Sequence, residues 1–156
     1  MIFQINMRLC SACLLGVECR YDGKSNLKKA SEKLILEFKN GGIIPVCPEQ
    51  LGGLSTPRIP QEIQGMSGSY VLDGKCRVIN KKGDDVTRQF INGAYGVLRI
   101  AQLLGIIEYI GVQKSPSCGC GKIYDGTFTK TLIDGEGVTT ALLKRNGINV
   151  TLEEDL

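Results

Sequence analysis

Three apolar segments of this sequence each run into a cysteine that is followed at once by turn-forming residues. The cysteines are Cys13, Cys47 and Cys118, and glycine or proline follows each of them within three residues. Short apolar runs that end in glycine or proline are typical of buried strands. If the three strands lie side by side in one sheet, the three thiols arrive at the same edge of that sheet.

Helical patterns separate these strands. Apolar residues recur at helical spacing over 27–38, 87–104 and 138–145, and a further strand is predicted at 149–152. This alternation predicts the α/β class, with a three-layer Rossmann-like, mostly parallel sheet. Binding sites in such sheets lie outside the carboxyl ends of the strands, where the three cysteines fall.

Two local features refine the element boundaries. Ser25 or Asn26 is the expected cap of the first helix, because short polar side chains accept backbone N–H groups at helix starts. Pro45 lies within the second strand, and its missing N–H group is unfavourable in a central strand. We interpret Pro45 as a strand start or as an irregularity.

Residues 48–86 interrupt the alternation with glycine- and proline-rich turns. The segments 70–72 and 77–79, with Asp73 and Gly74 between them, predict a small hairpin. We interpret this stretch as an insertion that covers a site, because long loops inside compact domains are usually functional or mobile.

The chain contains seven cysteines and no histidine. The absence of histidine excludes Ser–His and Cys–His catalytic dyads, histidine zinc sites and the iron site made of two histidines and a carboxylate. A general base must therefore be a carboxylate, a lysine, a tyrosine or a metal-bound hydroxide.

Charge and cysteine number exclude other classes. The formal net charge of +3 comes from interspersed acidic and basic residues, which does not favour nucleic acid as the main partner. An odd number of cysteines, and a start over Met1 to Asn6 without a basic or long apolar stretch, do not fit a secreted disulfide scaffold. We expect one cytoplasmic domain that spans residues 1–156 and has no membrane segment.

Three converging thiolates without a fourth equivalent partner indicate a metal or iron–sulfur centre with one open coordination position. A 4Fe–4S cluster with one free iron fits this pattern, and that iron can act as a Lewis acid or bind a soft sulfur atom. Buried cysteines also occur simply as small apolar residues, which is the favoured interpretation for Cys10 and Cys76. The roles of Cys19 and Cys120 stay open.

The sequence also carries a set of motifs in unbroken order. They are SACLLG at 11–16, RYDG at 20–23, PVCPE at 45–49, TPR at 56–58, SPSCG at 115–119 and IYDGTF at 123–128. From about residue 8 to the C-terminus, the chain resembles the bacterial thiouracil desulfurases.

The resemblance implies that Cys13, Cys47 and Cys118 are the three ligands of a 4Fe–4S cluster. It implies removal of sulfur from 2-thiouracil or a related thiolated pyrimidine, giving uracil and sulfide, with the open iron binding the substrate sulfur. The expected partner is a small thiolated base. Related domains fused to other modules act on thiolated tRNA bases, so tRNA is a less favoured partner.

Two carboxylates are candidates for the general base. Glu49 comes first, because it lies two residues beyond Cys47, and Asp22 comes second. The alternatives are that Glu49 caps a helix and that Asp22 is a turn residue.

Serines and arginines near the ligands complete the predicted site. Ser11, Ser115 and Ser117 are expected to hydrogen-bond cluster sulfur or the pyrimidine edge, with Ser117 as a catalytic candidate and the other two as substrate contacts. Arg20 is a further substrate-binding candidate, although it and Arg58 are equally suited to pairing with a carboxylate.

Two other functions fit the sequence less well. A thiol enzyme of the small phosphatase or arsenate reductase type needs Cys and Arg separated by five residues, but Cys19 occupies that position after Cys13 and Arg20 comes one residue too late. A non-enzymatic zinc- or Fe–S-binding module, with a sensor or structural role, usually has two Cys-x-x-Cys pairs. Here Cys10 and Cys13 form the single such pair.

Overall fold

The computed structural model describes residues 6–156. The prediction that the start over Met1 to Asn6 is neither a signal peptide nor a membrane segment falls, except for Asn6, outside the described residues. Within the described part of the chain, no helix combines the length and the apolar character that crossing a membrane requires.

The helices and strands alternate along most of the chain. In chain order they are β1 (Arg8–Ser11), α1 (Glu32–Lys39), β2 (Ile43–Val46), α2 (Pro48–Leu51), β3 (Gln61–Ile63), α3 (Gly68–Leu72), β4 (Val78–Asn80), α4 (Thr87–Leu104), β5 (Glu108–Gly111), β6 (Lys122–Tyr124), β7 (Leu132–Asp134), α5 (Val138–Arg145) and β8 (Asn149–Leu152).

A four-stranded parallel sheet with the order β2-β1-β5-β8 forms the centre of the fold. Parallel connections of this kind are right-handed, so α1 covers one face and α4 and α5 cover the other. The packing of α4 against α5 agrees with this arrangement. The chain runs outward from β1 to β2 and then crosses to β5, so the strand order reverses between β1 and β5. The α/β class with a mostly parallel sheet is confirmed.

The two central strands carry the most deeply buried side chains. Leu9 and Cys10 of β1 and Tyr109 and Ile110 of β5 are inaccessible to solvent. On α4, an apolar stripe packs into the same core, consisting of Phe90, Ala94, Val97, Leu98 and Ala101. Cys10 is therefore a core residue, as expected from its place in the strand.

The first helix begins later than its apolar spacing predicts. Leu27–Lys29 forms a 3₁₀ helix, and α1 starts after Ser31, whose hydroxyl accepts the Leu34 N–H at 3.1 Å. The prediction of Ser25 or Asn26 as the cap is wrong. The Asn26 side chain is instead turned toward the cysteines, as described below.

The predicted hairpin is also wrong in its first strand. Residues 70–72 belong to α3, while β4 pairs antiparallel with β3. Asp-Gly is a hairpin signal, but glycine with positive φ also ends helices. Here Gly74 has φ of 72° and follows the last turn of α3, which packs against α5.

Pro45 occupies the third position of the regular strand β2 and neither starts nor disrupts it. The interpretation of Pro45 as a strand start or an irregularity is therefore wrong. The strand tolerates proline because β2 lies at the edge of the sheet. An edge strand needs hydrogen bonds on one side only, so it tolerates a residue without an N–H group.

Candidate active site

Cys13, Cys47 and Cys118 line one cavity of about 560 Å³ at the carboxyl ends of the strands. Cys13 lies in a 3₁₀ helix directly after β1, and Cys47 precedes α2 at the end of β2. Cys118 follows β5 after a short loop. Because β2, β1 and β5 are neighbours in the sheet, three distant parts of the chain deliver thiols to the same wall.

Backbone packing fixes the loop that carries Cys118. The first N–H groups of α5 donate to the carbonyl oxygens of Pro116 and Ser117 at 2.9 and 2.8 Å. The hydroxyl of Ser115 accepts the N–H groups of Ser117 and Cys118 at 3.2 and 3.1 Å. The loop also crosses Gly111 so closely that a Cβ atom there would lie 2.2 Å from the Cys118 carbonyl oxygen. The position of this cysteine is therefore set by the fold.

Ser11 connects Cys118 to the core of the sheet. Its hydroxyl donates to Cys118 Sγ at 3.1 Å and shares a 2.8 Å hydrogen bond with the Tyr109 hydroxyl. Ser11 lines the cavity, but its side chain is committed to these protein partners. Burial raises the pKa of Cys118 to about 11, and the neighbouring Cys13 adds to the increase while Ser11 opposes it.

Cys13 is held by a chain of polar side chains. The Asn26 amide donates to Cys13 Sγ at 3.4 Å, and the Asn26 amide oxygen accepts from Arg20 at 2.8 Å. Arg20 in turn pairs with Asp22 at 2.8 Å, and Asp22 accepts the Lys24 N–H at 3.1 Å. Arg20 lines the cavity, yet its guanidinium orients Asn26, while Asp22 serves the turn and the ion pair.

Cys19 is buried and lines the same cavity as Cys13 and Cys47. Its carbonyl oxygen accepts a hydrogen bond from Cys47 Sγ at 3.9 Å. Hydrogen bonding with Cys19 lowers the pKa of Cys47 to about 7 and also lowers the pKa of Cys13. The same hydrogen bonding raises the pKa of Cys19 itself. Cys19 is therefore the neighbour with the largest effect on the pKa values of Cys13 and Cys47.

Glu49 projects into the cavity wall from the first turn of α2 and pairs with Arg58. The Arg58 side chain is only 4% exposed and also donates to the Cys19 carbonyl oxygen at 3.0 Å. Arg58, which belongs to the insertion, thus contacts the carboxylate that lies two residues after Cys47. Of the two alternatives for Arg58, the structure has the pairing with a carboxylate.

The remaining wall is formed by the insertion and by the segment that follows Cys118. Basic side chains outnumber carboxylates along the cavity, and they accompany the cysteines there. The basic residues are Arg20, Lys29, Lys81, Lys114 and Lys130, and the acidic ones are Glu49 and Glu62. The contribution of Pro60 to Glu62 agrees with an insertion that covers the site.

The other cysteines lie elsewhere in the described structure. Cys10 is in the core, Cys76 lies between α3 and β4, and Cys120 is near the amine of Lys144 at 3.4 Å. Sequence reasoning missed the contacts of Asn26 and Tyr109 and left the role of Cys19 open. An Asn directly before a turn signals a cap, and a Tyr in a strand signals core packing, so neither indicated a contact to a cysteine.

Among residues 6–156, no three His, Cys, Asp or Glu side chains are grouped closely enough to hold one metal ion. The ligands of a 4Fe–4S cluster bind different iron atoms, so they stand farther apart than the ligands of a single ion. Three soft cysteine sulfurs on one cavity wall, two of them hydrogen-bonded by Ser11 and Asn26, fit such a cluster.

Comparisons with known proteins agree with this chemistry. The chain is 44% identical over 150 residues to the uncharacterized protein YbbK of Bacillus subtilis (strain 168), covering 96% of this chain and 97% of that protein. A solved structure of the [4Fe-4S]-dependent thiouracil desulfidase TudS superposes with a TM-score of 0.87 at 41% identity, covering 97% of this chain and 93% of TudS. The family model described as 2-thiouracil desulfurase matches residues 9–155. The chain belongs to the 2-thiouracil desulfurase family.

Proposed function

We propose that this protein removes sulfur from 2-thiouracil or a related thiolated pyrimidine. Water adds its oxygen to the thiocarbonyl carbon, the carbon–sulfur bond breaks, and the two protons of the water leave with the sulfur as hydrogen sulfide. The reaction gives uracil without net oxidation or reduction. Family membership and the name of the solved relative TudS support this reaction. The observation that carries the proposal is the arrival of three cysteines from three neighbouring parallel strands at one cavity.

We assign Cys13, Cys47 and Cys118 as the ligands of a 4Fe–4S cluster. When bound, such a cluster supplies an iron that no cysteine occupies and that acts as a Lewis acid toward a soft sulfur. Ser11 and Asn26 orient the sulfur atoms of Cys118 and Cys13 by donating hydrogen bonds to them. Partners of this kind tune ligand orientation and basicity.

Glu49 is the proposed general base. Its carboxylate lies in the cavity wall, and Arg58 holds it in one orientation. There it can accept a proton from the attacking water. Asp22 is less suited to this role, because it does not line the cavity.

Ser117 is proposed to donate a hydrogen bond to the substrate. Its side chain lines the cavity and its hydroxyl lies 3.3 Å from that of Ser115. Ser115 holds the loop through two N–H groups, so it serves as the support and Ser117 as the contact. We propose that the whole chain, residues 1–156, acts as one such domain on a small molecule.

The test is metal and sulfide analysis of protein purified without oxygen, together with sulfide release from 2-thiouracil. We expect iron and acid-labile sulfide in the wild type, and their loss in Cys13→Ser, Cys47→Ser and Cys118→Ser. Cys10→Ser and Cys76→Ser are matched controls that keep iron near the wild-type amount, because both lie away from the cavity.

Four results would contradict the proposal or a part of it. Zinc in place of iron, or an intact cluster without sulfide release from thiolated pyrimidines, would favour the non-enzymatic binding module. Iron loss in Cys76→Ser equal to that in Cys47→Ser would show that the ligands are assigned incorrectly. Sulfide release from a thiolated tRNA but not from the free bases would identify thiolated RNA as the substrate.

A further inference from the structure

Three aromatic residues line the cavity and lie outside the hydrophobic core formed by the described residues, namely Tyr21, Tyr124 and Phe128. Phe128 is half-buried and differs from the two tyrosines in its backbone conformation. Its backbone has φ of 58°, in the left-handed region that is unfavourable for residues with a side chain. Such a conformation persists only where the surroundings impose it, and it is common in ligand sites.

A buried carboxylate imposes this conformation. Glu62 of β3 is 8% exposed, and its Oε1 accepts the N–H groups of Gly126 and Phe128 at 3.0 and 3.3 Å. Gly126 has φ of 92° and approaches β3 so closely that a Cβ atom would lie 2.7 Å from the Ile63 carbonyl oxygen. The loop after β6 is therefore clamped onto the strand that forms the adjacent wall of the cavity.

Hydroxyl groups on the outer side of the loop fix which residues face inward. Thr127 bonds to Asp125 and to Thr129, each at 2.6 Å, and Thr129 bonds to Thr131 at 2.8 Å. These exposed threonines alternate with Phe128, which lines the cavity. The alternation presents the ring to the cavity and leaves the polar side chains in solvent.

We propose that Phe128 is the platform on which the pyrimidine ring stacks, and that Glu62 is the residue that positions it. This inference rests on the proposed function, since it takes a thiolated pyrimidine as the ligand. Aromatic side chains stack on the face of any nucleobase and bind it independently of its exocyclic atoms. Phe128 therefore binds thiolated substrate and uracil product about equally.

Stacking contacts the face of the ring and not its exocyclic atoms, so we expect it to be equally strong in the ground state and the transition state. Such an interaction lowers KM without changing kcat. Phe128→Ala should raise KM, and the inhibition constant of uracil, by about tenfold or more. Its kcat and iron content should stay near those of the wild type, and Phe128→Tyr should restore binding.

Tyr95→Ala is the matched control, since Tyr95 is 55% exposed on α4 and does not line the cavity. This variant should leave KM unchanged. A KM for Phe128→Ala equal to that of the control would overturn the proposal.

The role of Glu62 is tested by a double-mutant cycle. Glu62→Ala frees two N–H groups of the loop and should raise KM as Phe128→Ala does, whereas Glu62→Gln keeps an acceptor oxygen and should recover most of the affinity. If Glu62 acts through Phe128, the double variant binds no more weakly than Phe128→Ala alone. Additive losses would show that Glu62 acts on the ligand by itself, and the positioning role would be rejected.

Calorimetric binding of uracil separates this inference from the proposed function. If the wild type binds uracil and Phe128→Ala does not, the stacking role of Phe128 is supported even in a protein that releases no sulfide. If the wild type releases sulfide from 2-thiouracil while Phe128→Ala keeps full uracil affinity, the proposed function stands and the platform is wrong.

Discussion

Arg58 pairs with the Glu49 carboxylate and donates to the Cys19 carbonyl oxygen from the same guanidinium. The nearly buried Arg58 side chain thus connects three segments, namely its own loop, the first turn of α2 and the turn that contains Cys19. Charge-assisted hydrogen bonds of this kind are strong and fix orientation. The pair gives two direct predictions about the chemistry.

Glu49→Gln keeps the shape of the side chain and removes its ability to accept a proton. We expect iron content to be unchanged and kcat for sulfide release to fall by about 100-fold or more. Steady-state assays of anaerobic protein check this, with the exposed Glu18→Gln as the control. Full activity in Glu49→Gln would remove this carboxylate as the base.

Arg58→Lys keeps a positive charge and loses the planar fork that reaches Glu49 and Cys19 together. We expect kcat to fall by about tenfold, with iron content retained, because a displaced catalytic group costs one or two orders of magnitude. The exposed Arg99→Lys serves as the control in the same assay. Equal rates in the two variants would mean that Arg58 does not position Glu49.

Asn26→Ala removes the donor to Cys13 Sγ. Loss of a hydrogen-bonding partner of a metal ligand typically lowers metal affinity about 10- to 100-fold. We therefore expect faster loss of iron to a chelator, followed by visible absorption over time. Asn92→Ala, on the exposed side of α4, should match the wild type.

Cys19→Ala removes a buried thiol that lines the cavity with Cys13 and Cys47, where we expect it to donate to the cluster sulfurs. Hydrogen bonds to cluster sulfurs stabilise the more negative reduced state, so their loss should shift the reduction potential to more negative values. Redox titration of anaerobic protein measures this shift, and Cys19→Ser, which keeps a donor, should lie nearer the wild type. Complete iron loss in Cys19→Ala would instead identify Cys19 as a ligand.

Glu153→Gln tests a buried carboxylate that does not itself line the cavity. Burial raises the pKa of Glu153, and its Oε2 atom has no hydrogen-bond partner. The folded state therefore holds this proton more tightly than the unfolded state, and wild-type stability falls as pH rises through the folded pKa. We expect Glu153→Gln to be more stable than the wild type by about 1 kcal/mol at neutral pH. The difference should vanish near about pH 4 in denaturant unfolding, and the exposed Asp155→Asn should show no such dependence.

The sheet and the family could be predicted because their signals are local. The runs that end at Cys13 and Cys47 combine apolar residues with an immediate turn, which specifies a strand end wherever it occurs. Alternation with helices then predicts parallel strands whose ends meet. The family was predicted from the six short motifs between residues 11 and 128, and the family model confirms it. The roles of the individual site residues stay predictions.

What the sequence did not reveal depends on contacts between distant residues or on signals with two meanings. Asn26 has the chemistry of a helix cap, and only the closed loop shows its amide directed to Cys13. Asp73 and Gly74 fit a hairpin turn and a helix end equally well, and packing of α3 on α5 decides between them. The bond between Ser11 and Tyr109 joins residues 98 positions apart, beyond the reach of any local pattern.

The proline at position 45 has a consequence for behaviour at high concentration. Strand β2 forms an outer border of the central sheet, where unpaired backbone groups invite a strand from another molecule to add on. A residue without an N–H group leaves a gap in that ladder. Pro45 therefore protects the protein against edge-to-edge aggregation, and a residue with an N–H group there would make this border a better template for another strand.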